Sequence, residues 1–502
     1  MSHSPDDTPK KRRLGVFVPP RPPIDAARDA ARTLDEAAAR ARFEVGAIDR
    51  ALKTTVSLCP ECLAHVPAFV FEQHGRVWIR KVCDAHGISE AVLENDPRYY
   101  FLSNKDRSGN VFAKDRIFDI PTFPGVPGAE GCCEGGACEG TDQNDNKTCT
   151  VLIEVTDACN LACPVCYSDA KGDRKLPFEA FCRYLETLIT TKGGLDSVQL
   201  TGGEAMLHPE FWDMLAFVAD HPRIKKVYLP TNGLLLRKPG VVERLARYKS
   251  KLMVLLQFDG TDDKIDEALR AATPGRARLE AIEKLGRLGV FMQLTMTLAR
   301  GTNEHDVGEV VALALRHSHI KVVALQPATY SGRYDLEPDP RERLTLSDVV
   351  KAVTRQTLSR ARAREADFVP IPCSHPNCGW ITLFLRRFGL VANIVRYVDL
   401  PKIIDNVAYR TLLSTDDLRS AVGSGGGALR RAIGRIGKRL VRSQDVFTVA
   451  IKPFMDRHSY DQDRIDNCCH HLLDTKGMPR SFCEYNAILR QKDPWSEMPA
   501  LA

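Results

Sequence analysis

The sequence predicts an α/β protein: a partial parallel barrel of six strands, with a small N-terminal metal ribbon and a cysteine-rich C-terminal domain. Three observations predict it. Between residues 150 and 345, short apolar, β-branched runs alternate with helical stretches, the pattern of a parallel barrel. Two knuckles, Cys59-Pro60-Glu61-Cys62 and Cys83-Asp84-Ala85-His86-Gly87, bracket a hairpin pattern. Sixteen cysteines occur without the apolar core of a secretion signal near Met1, so they point to metal and redox chemistry in a reducing cytoplasm.

The expected domains are 1–52, a disordered tail and helix; 53–148, a cysteine-rich metal domain and loop; 149–345, the barrel; and 346–502, a C-terminal domain with a flexible basic insert. The formal net charge of +6 is mild for 502 residues and gives no reason to expect nucleic acid as a partner. No run of about 18 apolar residues occurs to span a membrane.

Residues 1–23 are rich in Pro, Asp and Lys and read as a solvated tail. Residues 24–52 read as one alanine-rich helix, with Leu34, Ala38, Ala41 and Val45 at helical spacing. In the ribbon, Ala68–Phe71 and Arg76–Arg80 form a hairpin that turns at His74-Gly75. Cys59, Cys62 and Cys83 supply three ligands for a mononuclear iron or zinc. The fourth is either His86 or a distant cysteine, and both metals accept such a set. The loop that follows carries Cys132, Cys133, Cys138 and Cys149, a second group of thiols.

The barrel opens with the strand Val151–Val155, which leads into Cys159-Asn160-Leu161-Ala162-Cys163-Pro164-Val165-Cys166-Tyr167. Three thiolates in C-x3-C-x2-C spacing can hold three irons of a [4Fe–4S] cube and leave the fourth open to chelate a small molecule. A structural zinc site is the plainer alternative, but zinc takes four ligands and no fourth Cys or His lies at short range. Further strands are expected at 197–201, 226–230, 252–258, 291–297 and 321–326. Polar residues collect at their C-terminal ends, where parallel barrels place their sites. They are Gly202, Gly203 and Glu204; Asn232; Gln257 and Asp259; Thr297; and Gln326. The two glycines allow close backbone approach, and Glu204 can accept from an ammonium group. A helix cap is the ordinary reading of each polar end, and their recurrence argues for one shared site. Cys182, on an amphipathic helix, reads as a core cysteine.

The C-terminal part is expected to hold a charged helix at 341–365, a Pro-rich turn with Cys373 and Cys378, and then Cys468, Cys469 and Cys483. After a glycine linker at 423–427, residues 429–442 read as a basic amphipathic helix. It either packs on its own domain or lies on an anionic membrane. Setting aside the triad and Cys182 leaves twelve cysteines in groups of three, four and five, enough for three four-thiolate sites. One cysteine would have to cross between groups, or His86 would have to substitute.

As a set these residues resemble the radical S-adenosylmethionine (SAM) superfamily, in the branch containing the tetraether lipid synthases and related methylases that act on pterins. The resemblance rests on the triad, CPEC, CDAHG, Gln257-Phe258-Asp259-Gly260, Gln326-Pro327 through Gly332-Arg333, the Cys373/Cys378 turn, and Phe454-Met455-Asp456 through Cys483-Glu484-Tyr485-Asn486. It covers roughly residues 53–490. It implies a [4Fe–4S] cluster with SAM on Cys159, Cys163 and Cys166, which are thereby the catalytic residues. It also implies auxiliary [4Fe–4S] clusters on the remaining cysteines and a rubredoxin-like mononuclear metal. The SAM contacts implied are Tyr167, Gly202, Gly203, Glu204, Asn232, Gln257, Asp259, Thr297 and Gln326. Ala205 departs from the proline that often follows this glutamate. The activity implied is reductive cleavage of SAM to a 5′-deoxyadenosyl radical that attacks an unactivated C–H, with electrons from a flavodoxin- or ferredoxin-type partner. Carbon–carbon bond formation on a lipid chain is the expected reaction, with the enzyme peripheral at the membrane. C-methylation of a pterin or other small substrate is the alternative. A non-catalytic iron–sulfur carrier is a third reading, opposed by Glu204.

Overall fold

The computed structural model describes residues 24–103, 105–113, 148–359, 361–371, 374–387, 389–397 and 445–501. The expected tail, the glycine linker, the basic helix, and Cys132, Cys133, Cys138 and Cys373 lie outside the described residues.

The single helix expected over 24–52 is instead two short helices, α1 (Ile24–Arg32) and α2 (Glu36–Arg42), followed by a strand from Arg50. Asp35 causes the break. Its carboxylate accepts from the Ala38 backbone N–H at 2.8 Å and starts a new helix. The strands β1 (Arg50–Leu58), β2 (His65–Gln73), β3 (Arg76–Cys83) and β4 (Gly87–Glu94) form one antiparallel sheet in sequence order. The hairpin turns at His74-Gly75 as the sequence predicts. Both residues have positive φ, 53° and 67°, as a two-residue hairpin turn demands.

The barrel strands are β5 (Thr150–Thr156), β6 (Leu195–Gly202), β7 (Ile224–Thr231), β8 (Leu252–Gln257), β9 (Phe291–Leu298) and β10 (Ile320–Pro327), all parallel and in sequence order. Between them run α3 (Phe178–Lys192), α4 (Phe211–Asp220), α5 (Val241–Ala246), α6 (Asp263–Arg270), α7 (Gly275–Arg287) and α8 (Val307–Arg316). Helix α3 stops at Gly193, which takes φ 83° and donates to the Ile189 carbonyl at 2.8 Å. One face of each strand packs under the helices. Val198, Leu200, Val227, Leu229, Val254, Leu256, Leu294 and Leu325 are fully buried there. Cys182 is half-buried on the flank of this core. The expected helix over 341–365 is shorter, α9 (Leu346–Gln356).

The C-terminal chain re-enters the same sheet. Strands β11 (Trp380–Arg387), β12 (Leu390–Asn393), β13 (Val446–Ile451), β14 (His470–Leu473) and β15 (Pro479–Ser481) extend it at both edges. β13 runs parallel beside β10, and β14 runs parallel beside β5, so eight parallel strands stand where the sequence predicts six. The sheet does not close on itself. Lys53 of the ribbon joins the parts. Its buried ammonium lies 2.7, 2.8 and 2.9 Å from Asp106, Asp461 and Asp463.

Candidate active site and metal centres

The triad sits on the loop between β5 and the short strand pair at 165–166, at the C-terminal end of the barrel. Two close backbone contacts shape that loop. Gly202 has φ 141°, and a Cβ there would stand 2.2 Å from the Thr156 carbonyl oxygen; one on Gly203 would stand 2.0 Å from that of Ala158. The Gly203 and Glu204 N–H groups donate to the Thr156 and Ala158 carbonyls at 2.8 Å. These glycines are therefore required by the approach of β6 to the loop. On the far side, Arg333 pairs with Cys166 and Tyr334 with Val165. Burial lifts the Cys159 thiol to about 11 and the Cys163 thiol upward as well. Cys166 moves the other way: against its burial, the Ser168 hydroxyl, nearby backbone N–H groups and the Arg333 guanidinium bring its thiol down.

Glu204 is 1% exposed. Its Oε2 accepts from the Thr231 hydroxyl at 3.0 Å and the Asn232 N–H at 2.9 Å. Its Oε1 is buried with no hydrogen-bond partner, and the Met206 backbone N–H faces the same carboxyl. Burial raises this carboxyl to about 7. A buried carboxylate with one oxygen unused fits a cationic ligand group. The Asn232 side chain donates to Asn160 at 2.7 Å, linking this site to the cysteine loop.

Gln257, Asp259 and Thr297 come together in one wall. The Gln257 amide donates to Asp259 at 2.7 Å and to the Thr297 hydroxyl at 3.3 Å, and the Thr297 N–H donates to Asp259 at 2.9 Å. Both carboxylate oxygens of Asp259 are also held by Arg270, so Asp259 faces an arginine inside the wall. Asn303 bridges the Asp259 and Thr297 carbonyls at 2.8 and 2.7 Å. Gln326 is half-buried and lies in register with Thr297. Sequence reasoning missed Arg270. It ends a helix amid charged residues, and nothing local distinguishes it from a solvated cation.

The strand faces opposite the helices carry Gln199, Thr201, Tyr228, Gln257, Gln293, Thr295 and Gln326, all half-buried and alternating with the apolar row. Half-buried Met253, Leu255 and Phe291 stand on the same faces, so the barrel interior mixes polar side chains with apolar ones. Tyr167 stacks edgewise on Phe454 and Phe482, with ring centroids 5.6 and 5.5 Å away, so the C-terminal chain walls the site. Arg490 grips Glu154 of β5 with two bonds of 3.0 and 2.7 Å.

The C-terminal thiols gather around Arg464, whose Nε donates to Cys378 at 3.4 Å. Cys483 accepts from the Met455 N–H and Cys468 from the His470 N–H, each at 3.4 Å. Cys378, Cys468 and Cys483 act on one another electrostatically. Cys469 lies against Cys149, whose N–H donates to the Cys469 carbonyl at 2.8 Å. One cysteine thus crosses between the groups read from the sequence.

Near the N-terminus, the ligand atoms of Cys59, Cys62, Cys83 and His86 all lie within 4.8 Å of one another. His86 Nδ1 is 3.6 Å from Cys59 Sγ and 3.5 Å from Cys83 Sγ, and Cys62 Sγ is 3.9 Å from Cys83 Sγ. A tetrahedral zinc with its usual bond lengths would place S···S at about 3.8 Å and S···N at about 3.5 Å. The four residues fit that ion, with His86 close enough to serve as the fourth ligand.

Residues 153–314 match the radical SAM superfamily, and residues 51–95 match the HMPTM N-terminal zinc ribbon domain. The 7,8-dihydro-6-hydroxymethylpterin dimethyltransferase of Methanocaldococcus jannaschii is 26% identical over 499 residues, 88% of this chain and 94% of its own. A GTP 3′,8-cyclase of Pelotomaculum thermopropionicum is 30% identical over 36% of this chain and 58% of its own. The mycofactocin maturase MftC of Mycobacterium ulcerans is 29% identical over 41% of this chain and 56% of its own. With these last two the similarity stops at a little over half their length. Among solved structures, Streptococcus suis SuiB bound to precursor peptide SuiA covers 42% of this chain and 47% of its own, at TM-score 0.37 and 19% identity.

Proposed function

We propose that this chain, a radical SAM enzyme with an N-terminal zinc ribbon, C-methylates a pterin or a similarly polar heteroaromatic ring. The observation that carries the reading is the near end-to-end relation to a pterin dimethyltransferase, ribbon included. The barrel interior agrees with it. Glutamine, threonine and tyrosine side chains offer donors and acceptors to the edge of a heteroaromatic ring, whereas a lipid chain would leave them unpaired. The lipid reaction expected from the sequence has no counterpart among these relatives, whereas the pterin dimethyltransferase is matched over 94% of its length.

When bound, the [4Fe–4S] cluster and SAM supply a carbon-centred radical able to take hydrogen from a C–H bond. Cys159, Cys163 and Cys166 would hold the cluster, and Glu204 Oε1 the ammonium of SAM. Gly202 and Gly203 keep the strand end close enough for that contact, and Tyr167 with Phe454 and Phe482 keeps water from the reacting groups. Gln257, Thr297 and Gln326 would face the nucleoside and substrate, and a flavodoxin- or ferredoxin-type partner would deliver the electron. Cys378, Cys468 and Cys483 would hold one auxiliary cluster, and Cys149 and Cys469 would belong to another. In division of labour, 53–148 would be the metal domain, 149–345 the radical SAM barrel and 346–502 the auxiliary part. A carrier of electrons alone has no use for a buried, half-occupied Glu204. The twelve described cysteines are all free thiols, which suits a reducing cytoplasm. No described helix is long and apolar enough to cross a membrane.

Mass spectrometry of pterin and lipid extracts from cells with and without the protein tests the reading. Methylated pterins that disappear with the protein are expected. An unchanged pterin pool with altered lipid chains would reverse it.

A further inference from the structure

Arg270, at the end of α6, is 6% exposed, and its guanidinium is used on every side. Nε donates to Asp259 Oδ2 at 2.6 Å, and one terminal nitrogen donates to Asp259 Oδ1 at 2.8 Å and the Thr297 hydroxyl at 2.9 Å. The other terminal nitrogen donates to the Val165 carbonyl at 3.2 Å, on the stretch between Cys163 and Cys166. The guanidinium also acts electrostatically on the Cys163 sulfur. The cation thus stands against the cysteine loop, with its balancing carboxylate behind it and fully buried.

We infer that the Arg270–Asp259 pair is a positioning device that fixes the cysteine loop and sets the reduction potential of the SAM cluster. The inference rests on the radical SAM reading of the triad. Reduction adds one electron to the cluster. A buried cation at a cysteine ligand favours the reduced form, and a buried anion behind it offsets part of that effect. The two partners must therefore act in opposite directions, which a merely structural pair would not do.

The test is an EPR-monitored redox titration of the full-length, anaerobically reconstituted protein, following the signal that changes when SAM is added. Relative to wild type, Arg270→Gln should lower the midpoint potential and Asp259→Asn should raise it. Arg270→Lys, which keeps the charge, should stay near wild type. Shifts of the same sign in the first two variants, or no shift in either, would overturn the inference. If Arg270→Gln fails to take up its cluster, Asp259→Asn decides alone, and an unchanged or lowered potential there rejects the pair's role. A wild-type protein with no SAM-responsive signal would overturn the radical SAM reading itself, and this inference with it.

Discussion

Replacing Glu204 with Gln should move folding stability and SAM binding in opposite directions. The carboxyl is raised from 4.5 to about 7 by burial. Its contribution to the stability of the SAM-free protein is therefore fully present below pH 4.5 and lost as pH rises through 7. At about 1.4 kcal/mol per pH unit, ionising it in the empty site destabilises the fold by roughly 3 kcal/mol at pH 8. Glutamine carries no charge, so Glu204→Gln should gain stability of that order at pH 8 and little at pH 5. The amide oxygen can still accept from Thr231 and Asn232, but the NH2 group then occupies the position of Oε1, the unpartnered oxygen. A charge-assisted bond contributes about 1.5–3 kcal/mol, so SAM should bind roughly 10- to 150-fold more weakly. Wild-type affinity should also rise between pH 6 and 8 as the carboxylate forms, while the variant stays flat. Equilibrium dialysis with labelled SAM and urea denaturation across this pH range read both effects. Unchanged affinity, or a variant less stable than wild type at pH 8, would refute the reasoning.

Gly203→Ala must displace the loop ahead of Cys159, because its Cβ would meet the Ala158 carbonyl; iron bound by the triad should fall. Gly46→Ala, which meets nothing within 4 Å, should leave it unchanged. Cys62→Ser or His86→Ala should release one equivalent of zinc, read by elemental analysis, and lower the melting temperature; retention of the metal would count against the four-residue site. Lys53→Met leaves Asp106, Asp461 and Asp463 buried without their cation, so about 3–5 kcal/mol of stability should be lost, measured by denaturation.

Much of the barrel is legible because each strand is an apolar, β-branched run closed by a turn. The six expected strands differ from the observed ones by two residues or fewer at each end. β13 and β14 are not legible in the same way. Val446–Ile451 and His470–Leu473 find their partners on β10 and β5, more than a hundred residues away, and no local pattern encodes such pairing. The helix expected over 24–52 followed alanine periodicity past Asp35, a residue equally suited to a solvent face or a cap. The triad, the ribbon and the Gly202–Glu204 strand end could be read because spacing carries their chemistry. Arg270 could not, since its role comes from the tertiary contact with Asp259 and Val165. The expected lipid substrate rested on the resemblance to the tetraether lipid synthases, with the cations at 429–442 offering a membrane contact. The strand alternation held a better clue, because it places glutamines and threonines inside the barrel.

The most direct measurement is anaerobic incubation of the reconstituted protein with SAM, dithionite and 7,8-dihydro-6-hydroxymethylpterin, with 5′-deoxyadenosine and methylated pterin quantified together. Both products should form with wild type, and neither with Cys163→Ala, which removes one of the three thiolates. 5′-Deoxyadenosine formed equally by Cys163→Ala would contradict the account of the triad. Its formation by wild type with no modified pterin would contradict the proposed substrate.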